Sequence, residues 1–271
     1  MDRPPRAPRG VDVTTPSVSR MYDYYLGGSY NFQADREVAR KVLTFLPGVP
    51  KAAQANRAFM RRAVEYAIGA GVTQFLDVGA GIPTFGSVHE VVRRAGGDAP
   101  RVVYVDHDPV AVAHATEVLR DVPSAGAVTG DLRKPRDILA SELVGQLLDL
   151  TQPVAVLLLA VLHYLKDGDR PYEAVSELLG AMAPGSLLIL THASYEGMYV
   201  PVEQVGGAMD VYRDIHNPVI MRSRDEIARF FEGYDMVEPG LVSMPHWRPK
   251  TAVEDEAPFA FSAFAGVGRA A

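Results

Sequence analysis

The chain of 271 residues contains no cysteine, which excludes disulfide bonds and thiolate metal sites. It also has no excess of positive charge, because 27 Lys and Arg residues stand against 33 Asp and Glu residues, for a net charge of −6. Nucleic acids and anionic membranes normally require a clustered basic face, so neither is an expected partner. The longest apolar run, residues 154–162, is far too short to span a bilayer.

Proline and arginine dominate the N-terminal stretch MDRPPRAPRGVDVTTP, which has no apolar segment of the kind that a secretory signal needs. We therefore expect residues 1–15 to form a disordered tail and the protein to be cytoplasmic. Between residues 16 and 71 the apolar residues follow a helical period, and no strand pattern occurs. This stretch is predicted to form an N-terminal helical cap.

After Gly71 short apolar segments alternate with helical stretches. Strands buried on both faces read as continuous Val, Leu and Ile runs, and parallel neighbours need helical crossovers. The pattern therefore predicts an α/β domain over residues 72–271, with a doubly wound, mostly parallel sheet. The predicted strands are QFLDV, RVVYV, AGAVT, PVAVLLLA and SLLILTH, and the helices lie near 84–96, 109–121, 135–150 and 171–183.

The last third of the chain departs from this alternation. A helical insertion is expected near 195–233, with residues 201–233 as its helical part. The segments YDMVEPGLVSMP and FAFSAFAGVGRA then follow with no helix between them, which predicts an antiparallel pair at one edge of the sheet.

The turn after the first strand, FLDVGAGIPT, points to a ligand. A dinucleotide loop would read G-x-G-x-x-G and present N–H groups to a pyrophosphate. Here the third glycine is missing, Pro83 has no N–H to donate, and Asp77 would repel a phosphate. All three fit a ligand with an ammonium group, such as S-adenosylmethionine, held by Asp77 while the segment Gly79-Ala80-Gly81 lets its backbone approach closely. The alternative is a tight turn with an incidental acid.

The next two strands also end in acids. Asp106 follows the second strand, where an acid bonds ribose hydroxyls in adenosine-binding sheets, and His107 flanks it. The third strand ends at Asp131-Leu132, where a carboxylate could take the adenine amino group. A metal pair of His107 or Asp108 with His114 is conceivable, but no metal-binding spacing occurs, so no metal is expected.

Taken together, FLDVGAGIPT, VVYVDHDP, GDLRKP and VLLLAVLHYL resemble the successive motifs of class I S-adenosylmethionine-dependent methyltransferases. The segments PSVSRMYDYYLGGSYNFQADREVA, ANRAFMRRAV and PGLVSMPHWRP are similar to an actinobacterial family of predicted methyltransferases. The resemblance implies a Rossmann-like, seven-stranded sheet with an antiparallel seventh strand. It also implies S-adenosylmethionine as the cofactor and places residues 160–163, from Ala160 to His163, beside its methionine moiety.

Candidate residues for the reaction follow from their chemistry. His163 could act as a general base on a hydroxyl acceptor, or it could be satisfied by a loop carbonyl. His192 is a weaker candidate of the same kind. Tyr22 could attract a sulfonium through its ring face or could pack the cap onto the sheet. Arg57 could pair with the methionine carboxylate, assisted by Asn56, or could form a surface salt bridge.

Aromatic and flexible side chains in the insertion suit a small organic acceptor, although lid packing explains them equally well. They are Tyr195, Met198, Tyr199, Met209 and Tyr212. The sole tryptophan, Trp247, is predicted to be structural. We thus predict a methyltransferase acting on a small molecule, with a non-catalytic S-adenosylmethionine-binding protein as the alternative. An NAD-linked oxidoreductase is disfavoured by Asp77 and Pro83.

Overall fold

The structure is a computed structural model that describes residues 12–84, 86–95, 101–198, 200–251 and 262–271. Of the predicted tail, residues 1–11 lie outside the described residues, whereas the carbonyl oxygens of Asp12 and Thr15 accept hydrogen bonds from Arg20. The helices are α1 (Val18–Tyr25), α2 (Gln33–Phe45), α3 (Val49–Gly69), α4 (Val88–Arg94), α5 (Pro109–Val118), α6 (Pro135–Leu139), α7 (Glu142–Leu147), α8 (Pro171–Leu179), α9 (Val202–Asp214) and α10 (Arg224–Ala228). The strands are β1 (Gln74–Val78), β2 (Arg101–Asp106), β3 (Ala125–Thr129), β4 (Ala155–Leu159), β5 (Leu187–Ala193), β6 (Tyr234–Met236), β7 (Val242–Ser243) and β8 (Ala263–Ala270).

One sheet contains all of these strands. Its main path has seven strands in the order β3-β2-β1-β4-β5-β8-β6, and the two-residue β7 pairs with β8. Neighbours from β3 to β5 are parallel, whereas β8 is antiparallel to β5 and β6. The predicted mostly parallel sheet with an antiparallel edge is therefore confirmed. Strand order reverses between β1 and β4, and ligands of such sheets bind at the carboxyl ends of the strands at this point.

All five predicted parallel strands form, but two helical predictions were wrong in detail. The stretch 135–150 contains two short helices, α6 and α7, and not one long helix. The stretch 201–233 contains α9 and α10 with an irregular segment between them. His216 adopts a left-handed conformation in that segment, and Pro218 disfavours a helical residue before it. Ser223 then starts α10, because its hydroxyl accepts a hydrogen bond from the N–H of Glu226.

The sheet is covered on both faces, which explains the continuous apolar runs of its parallel strands. Helices α3 and α4 bury Phe59, Met60 and Val92 against one face. Trp247 is fully buried on the same side and packs edge-to-face on Phe59, with 5.3 Å between ring centroids. This position accords with the structural role predicted for the tryptophan. A separate small core joins α1 and α2 to α9.

Polar contacts of residues 17–35 fix helix α1 in place. A fully buried ion pair joins Arg20 of α1 to Asp35 of α2, with 2.8 Å between Nε and Oδ2. Asp35 also accepts hydrogen bonds from the N–H groups of Ser17 and Phe32. The Ser17 hydroxyl in turn donates to Asp108, at 2.7 Å, in the turn after β2. These contacts hold α1 over the carboxyl ends of the strands.

Candidate active site

A large cavity lies between the cap helices and the carboxyl ends of β1, β2, β4 and β5. It encloses about 1460 Å³ of empty space, part of it open to solvent. Of the twelve residues predicted for the site, ten line this cavity: Tyr22, Arg57, Asp77, Gly79, Ala80, Gly81, Asp106, His107, Ala160 and His163. Asp131 and Leu132 do not.

The glycine loop uses its N–H groups inside the protein. The N–H groups of Gly79 and Ala80 both donate to the carbonyl oxygen of Val105, at 2.7 and 3.1 Å. The N–H of Gly81 donates to Asp106 Oδ2 at 2.7 Å. A pyrophosphate cradle needs such groups free to point at the ligand. The loop is therefore not a dinucleotide-phosphate site, in agreement with the sequence prediction.

The fold itself requires glycine at position 79. Its φ of +74° lies in the left-handed region, and a Cβ atom there would come within 2.2 Å of Val161 Cγ2. The space predicted for close ligand approach is thus taken, at this residue, by the turn after β4. Gly81 is also left-handed, but a Cβ there would meet Ser19 of α1 at a relaxed 3.7 Å.

Asp77 is a buried acid at the end of β1 that lines the cavity. Burial raises its pKa to about 7, because the Arg57 charge only partly offsets the loss of water and Asp106 adds repulsion. Among the described residues Asp77 forms no salt bridge of 4 Å or less. A buried carboxylate without a close cation fits a ligand that brings its own ammonium group.

Asp106 lies beside it at the end of β2 and is also buried. Its Oδ1 accepts from the N–H of Asp108 at 2.9 Å, and its Oδ2 accepts from Gly81. Each carboxylate oxygen keeps a second lone pair, so both can still accept from the two hydroxyls of a ribose. His107 is largely exposed, and its pKa is raised by Asp106, which lies 3.5 Å from its Nδ1.

Asp131 and Leu132, which do not line the cavity, are each held by contacts elsewhere. The Asp131 carboxylate is held by its neighbour Arg133, whose Nε lies 2.9 Å from both carboxylate oxygens. This interaction and the backbone N–H of Arg133 lower the pKa of Asp131 although partial burial raises it. Leu132 is buried in the core beneath the sheet. Adenine recognition at these residues stays a prediction.

A hydrogen-bond network that the sequence did not reveal joins the cap to the sheet. Asn56 in α3 donates to the Tyr22 hydroxyl at 2.9 Å, and its carbonyl oxygen accepts from the Thr191 hydroxyl at 2.8 Å. Thr191 in turn accepts from the N–H of Ala160 at 2.9 Å. Ala160 is left-handed, with φ of 53°, so this contact supports a strained turn. Asn56 therefore positions two cavity residues.

Arg57 lies over the ring of Tyr22. Its guanidinium carbon is 5.7 Å from the centroid of the Tyr22 ring. The Tyr22 hydroxyl also donates to the carbonyl oxygen of Ala53, at 3.3 Å. Tyr22 thus both packs the cap and lines the cavity, so the two roles predicted for it are compatible.

The two histidines differ in how their nitrogens are used. His192 Nδ1 donates to its neighbouring carbonyl oxygen at Ala193, at 2.7 Å, and its Nε2 accepts from Arg222 at 2.9 Å. His192 is therefore fixed in one tautomer with both nitrogens used. His163 is buried but lines the cavity, and its Nδ1 has no hydrogen-bond partner among the described residues. Burial, with the nearby His192 and Arg222, keeps its pKa well below 6.5.

The insertion brings two of its predicted residues to the cavity, Met209 and Tyr212. Tyr195 is more than half exposed and does not line it, nor does Met198. Tyr199 lies outside the described residues. Tyr25, Tyr164 and Asn217 also line the cavity, and no sequence motif marks the last of these.

The residues considered for a metal do not come together. His114 is fully buried between the rings of Tyr30 and Phe32, and neither of its nitrogens has a partner among the described residues. Across the described part of the chain, no group of three His, Asp or Glu side chains could hold a metal ion. Among the described helices, none combines the length and apolarity that a membrane span needs.

The sheet order, the acids at β1 and β2 and the cavity under the cap define a Rossmann-like methyltransferase fold. The sequence profile of the S-adenosyl methyltransferase family matches residues 4–271, and the chain belongs to that family. It is therefore an S-adenosylmethionine-dependent methyltransferase, with S-adenosylmethionine as its cofactor.

Solved structures agree with this assignment. A predicted methyltransferase from Thermobifida fusca is 34% identical, with 97% of each chain covered and a TM-score of 0.88. A DUF574 family protein from Streptomyces avermitilis is 33% identical, with 96% of this chain and 99% of that chain covered and a TM-score of 0.89. A more distant S-adenosylmethionine-dependent methyltransferase from Anabaena variabilis is 12% identical, covers 74% of this chain and 78% of its own at a TM-score of 0.51, and shares the fold. A search of curated proteins gave no match.

Proposed function

We propose that the protein transfers the methyl group of S-adenosylmethionine to a small-molecule acceptor that binds in the same cavity. The observation that carries this proposal is that one cavity has two different ends. Its charged end, formed by Arg57, Asp77 and Asp106, lies at β1 and β2, and its uncharged end lies at β4 and β5. Adjacent strands are about 4.8 Å apart, so the two ends are neighbours along one sheet edge.

At the charged end, each proposed role follows from the chemistry of the side chain. Asp77 holds the ammonium group and Arg57 the carboxylate of the methionine moiety, because each provides the opposite charge. Asp106 accepts from the ribose hydroxyls, with His107 beside it. The turns at Gly79-Ala80-Gly81 and Ala160 supply close backbone surface. Asp131 and Leu132 are proposed to contact the adenine.

S-adenosylmethionine supplies a methyl group on a positively charged sulfur, ready for displacement by a nucleophile. The protein has to hold the acceptor in line and exclude water. Tyr22 lines the region between the two ends, where its ring can face the sulfonium. His163 at the end of β4 is proposed as the group that takes the acceptor proton.

A small acceptor is supported by the way the cavity is covered. Helix α1 is tied to the β2 turn by the Ser17 to Asp108 hydrogen bond, and α3 is tied to β5 by the Asn56 to Thr191 hydrogen bond. A folded protein or a nucleic acid would have to displace this cover to reach the turn after β4. A cytoplasmic location stays a prediction.

Transfer of labelled methyl groups tests the proposal. The purified protein would be incubated with methyl-labelled S-adenosylmethionine and an extract of the cells that carry it, divided into small molecules, protein and nucleic acid. Label is expected in the small-molecule fraction, and the Asp106→Ala variant serves as the control. Label confined to protein or nucleic acid would contradict a small-molecule acceptor. Cofactor binding without label transfer would support the binding-only alternative.

A further inference from the structure

We propose that the uncharged end of the cavity binds a neutral aromatic acceptor with an acidic hydroxyl group, a phenol being the simplest example, and that His163 receives the hydroxyl proton. This inference rests on the proposed function and specifies its acceptor. The uncharged end is formed by Tyr25, His163, Tyr164, Met209, Tyr212 and Asn217.

The described residues at the uncharged end of the cavity offer no opposite charge to a charged acceptor. The lining side chains that carry charge are Arg57, Asp77 and Asp106, together with His107, whose pKa Asp106 raises. Among the described residues, none of these belongs to the uncharged end. Arg222 lies behind His192, but its guanidinium is satisfied by Asp167 at 2.8 Å and by two backbone carbonyl oxygens. A carboxylate, phosphate or ammonium on the acceptor would thus be buried without an opposite charge, which is strongly unfavourable.

The shape and polarity of the uncharged end suit a planar, uncharged molecule. Three tyrosines and a histidine supply ring surfaces for a planar molecule. The hydroxyl oxygens of Tyr25 and Tyr212 lie 3.4 Å apart, and burial raises the pKa values of both groups. They therefore stay neutral and can exchange hydrogen bonds with an uncharged polar substituent. Met209, a flexible side chain, allows some variation in ring size.

Of the two buried histidines at the cavity, His163 is the one that can accept a proton. His192 has both nitrogens engaged, so it cannot take a proton without breaking a bond to Ala193 or Arg222. Among the described residues, neither ring nitrogen of His163 has a hydrogen-bond partner. Its Nδ1 is buried, which leaves Nε2 as the nitrogen that can take the proton, and its ring lies near Tyr164, His192 and Arg222. It is neutral at pH 7 but is a weak base. Such a base matches a hydroxyl that is already acidic, such as a phenol, far better than an aliphatic alcohol.

The proposed step balances with these groups alone. The acceptor oxygen forms a bond to the methyl carbon while the carbon–sulfur bond breaks, and that electron pair stays on the sulfur. The hydroxyl proton passes to His163 and then to solvent when the products leave. The products are a neutral methyl ether and S-adenosylhomocysteine.

Binding of charge-matched fragments tests the acceptor class. Monocyclic and bicyclic aromatic rings would be prepared in sets of three, carrying a hydroxyl, a carboxylate or a methylammonium group, including 2-naphthol, 2-naphthoate and 2-naphthylmethylammonium. Each would be titrated into the protein saturated with S-adenosylhomocysteine. Hydroxyl members are expected to bind at least tenfold more tightly than their charged partners. Equal or tighter binding of the charged members, or no binding by any hydroxyl member, would overturn the inference.

The same titration separates this inference from the proposed function. S-adenosylhomocysteine binding is measured first, and its failure would contradict the proposed function itself. Failure of the hydroxyl compounds to bind the resulting complex would contradict only the acceptor class. If hydroxyl compounds bind but none is methylated on oxygen, the acceptor class is wrong although the site is uncharged.

Rate profiles against pH test the role of His163. For a hydroxyl compound that is methylated, His163→Gln should lower kcat on the order of 100-fold at pH 7, with little change in KM. Its kcat should then rise with pH as the hydroxyl ionises by itself. His192→Gln is the matched control, because it disturbs the same buried pair without removing the free base. It should lower kcat at pH 7 far less than His163→Gln does, although its profile should shift, because His192 contributes to the low pKa of His163. Identical profiles for the wild type and His163→Gln would remove His163 from the proton transfer.

Discussion

Replacing Asp77, at the end of β1, shows most clearly whether this acid binds the ligand or holds the glycine turn. Asp77 has a pKa of about 7 in the free protein, and an ammonium group binds the ionised form. The ionised fraction is then roughly a tenth at pH 6 and about half at pH 7. The affinity for S-adenosylmethionine should therefore rise roughly fivefold over this interval, since binding requires loss of the proton.

Asp77→Asn should remove this dependence on pH and weaken binding at pH 7.5 by about 1.5–3 kcal/mol, the range for hydrogen bonds to charged groups. Isothermal titration between pH 6 and pH 7.5 measures both effects, below the pH at which the ligand's own ammonium loses its proton. Methylthioadenosine is the matched ligand, because it has the adenosine and the sulfur but no amino-acid part. Its affinity should change little in the variant.

Stability provides the control for this experiment. Because folding raises the pKa of Asp77 above its unfolded value, the carboxyl contributes stability at low pH that is lost as the pH rises towards 7 and above. The unliganded Asp77→Asn variant should thus be at least as stable as the wild type at pH 8, by thermal denaturation. A less stable variant that loses both ligands equally would show that Asp77 holds the turn, and the reasoning would be refuted.

Three further outcomes are expected. Asp106→Ala should weaken binding of both S-adenosylmethionine and methylthioadenosine by about 1.5–3 kcal/mol in calorimetry, and unchanged affinity in a folded variant would contradict ribose recognition. Asp131→Asn should weaken the cofactor but not an analogue lacking the adenine amino group, whereas equal losses would exclude that contact. His114→Leu should reduce the loss of stability below pH 6.5 in denaturant titrations, because burial lowers the pKa of His114 and the unfolded chain binds its proton more readily. An unchanged pH dependence would contradict this last outcome.

The sheet and the charged end of the cavity could be predicted because their signals are local. Strand ends are visible as apolar runs that stop at an acid, and parallel neighbours bring Asp77 and Asp106 to one edge. The glycine pattern with Pro83 correctly argued against a dinucleotide. A local pattern is enough to predict a site when its residues lie at the ends of strands that follow one another along the chain.

The contacts that close the cavity could not be predicted, because their partners lie far apart along the chain. Asn56 and Thr191 are 135 residues apart, and Tyr25 and Tyr212 are 187 residues apart. In the sequence, a polar residue of a helix looks the same whether its hydrogen-bond partner is water or a side chain of a distant strand. The weaker candidate His192 belongs to this group, since its role depends on Arg222, whose position follows from the irregular segment after α9.

The role of Gly79 also depends on a residue that is distant along the chain, Val161, and could not be predicted for that reason. The sequence predicts that Gly79 leaves room for a ligand, because glycine in such turns usually does. The structure places the side chain of Val161 in that room, 82 positions further along the chain. Only the pairing of β1 with β4 brings the two turns together.

A crystal structure of the protein with S-adenosylhomocysteine tests the central claim most directly, namely that one cavity holds the cofactor at its charged end and the acceptor at its uncharged end. We expect the ribose hydroxyls to lie on Asp106 and the amino group on Asp77. The sulfur should be open towards His163, and the ligand should leave the space beside Tyr212 unfilled. A ligand whose amino-acid part occupies the space between His163 and Tyr212 would contradict it, because no room for an acceptor would remain.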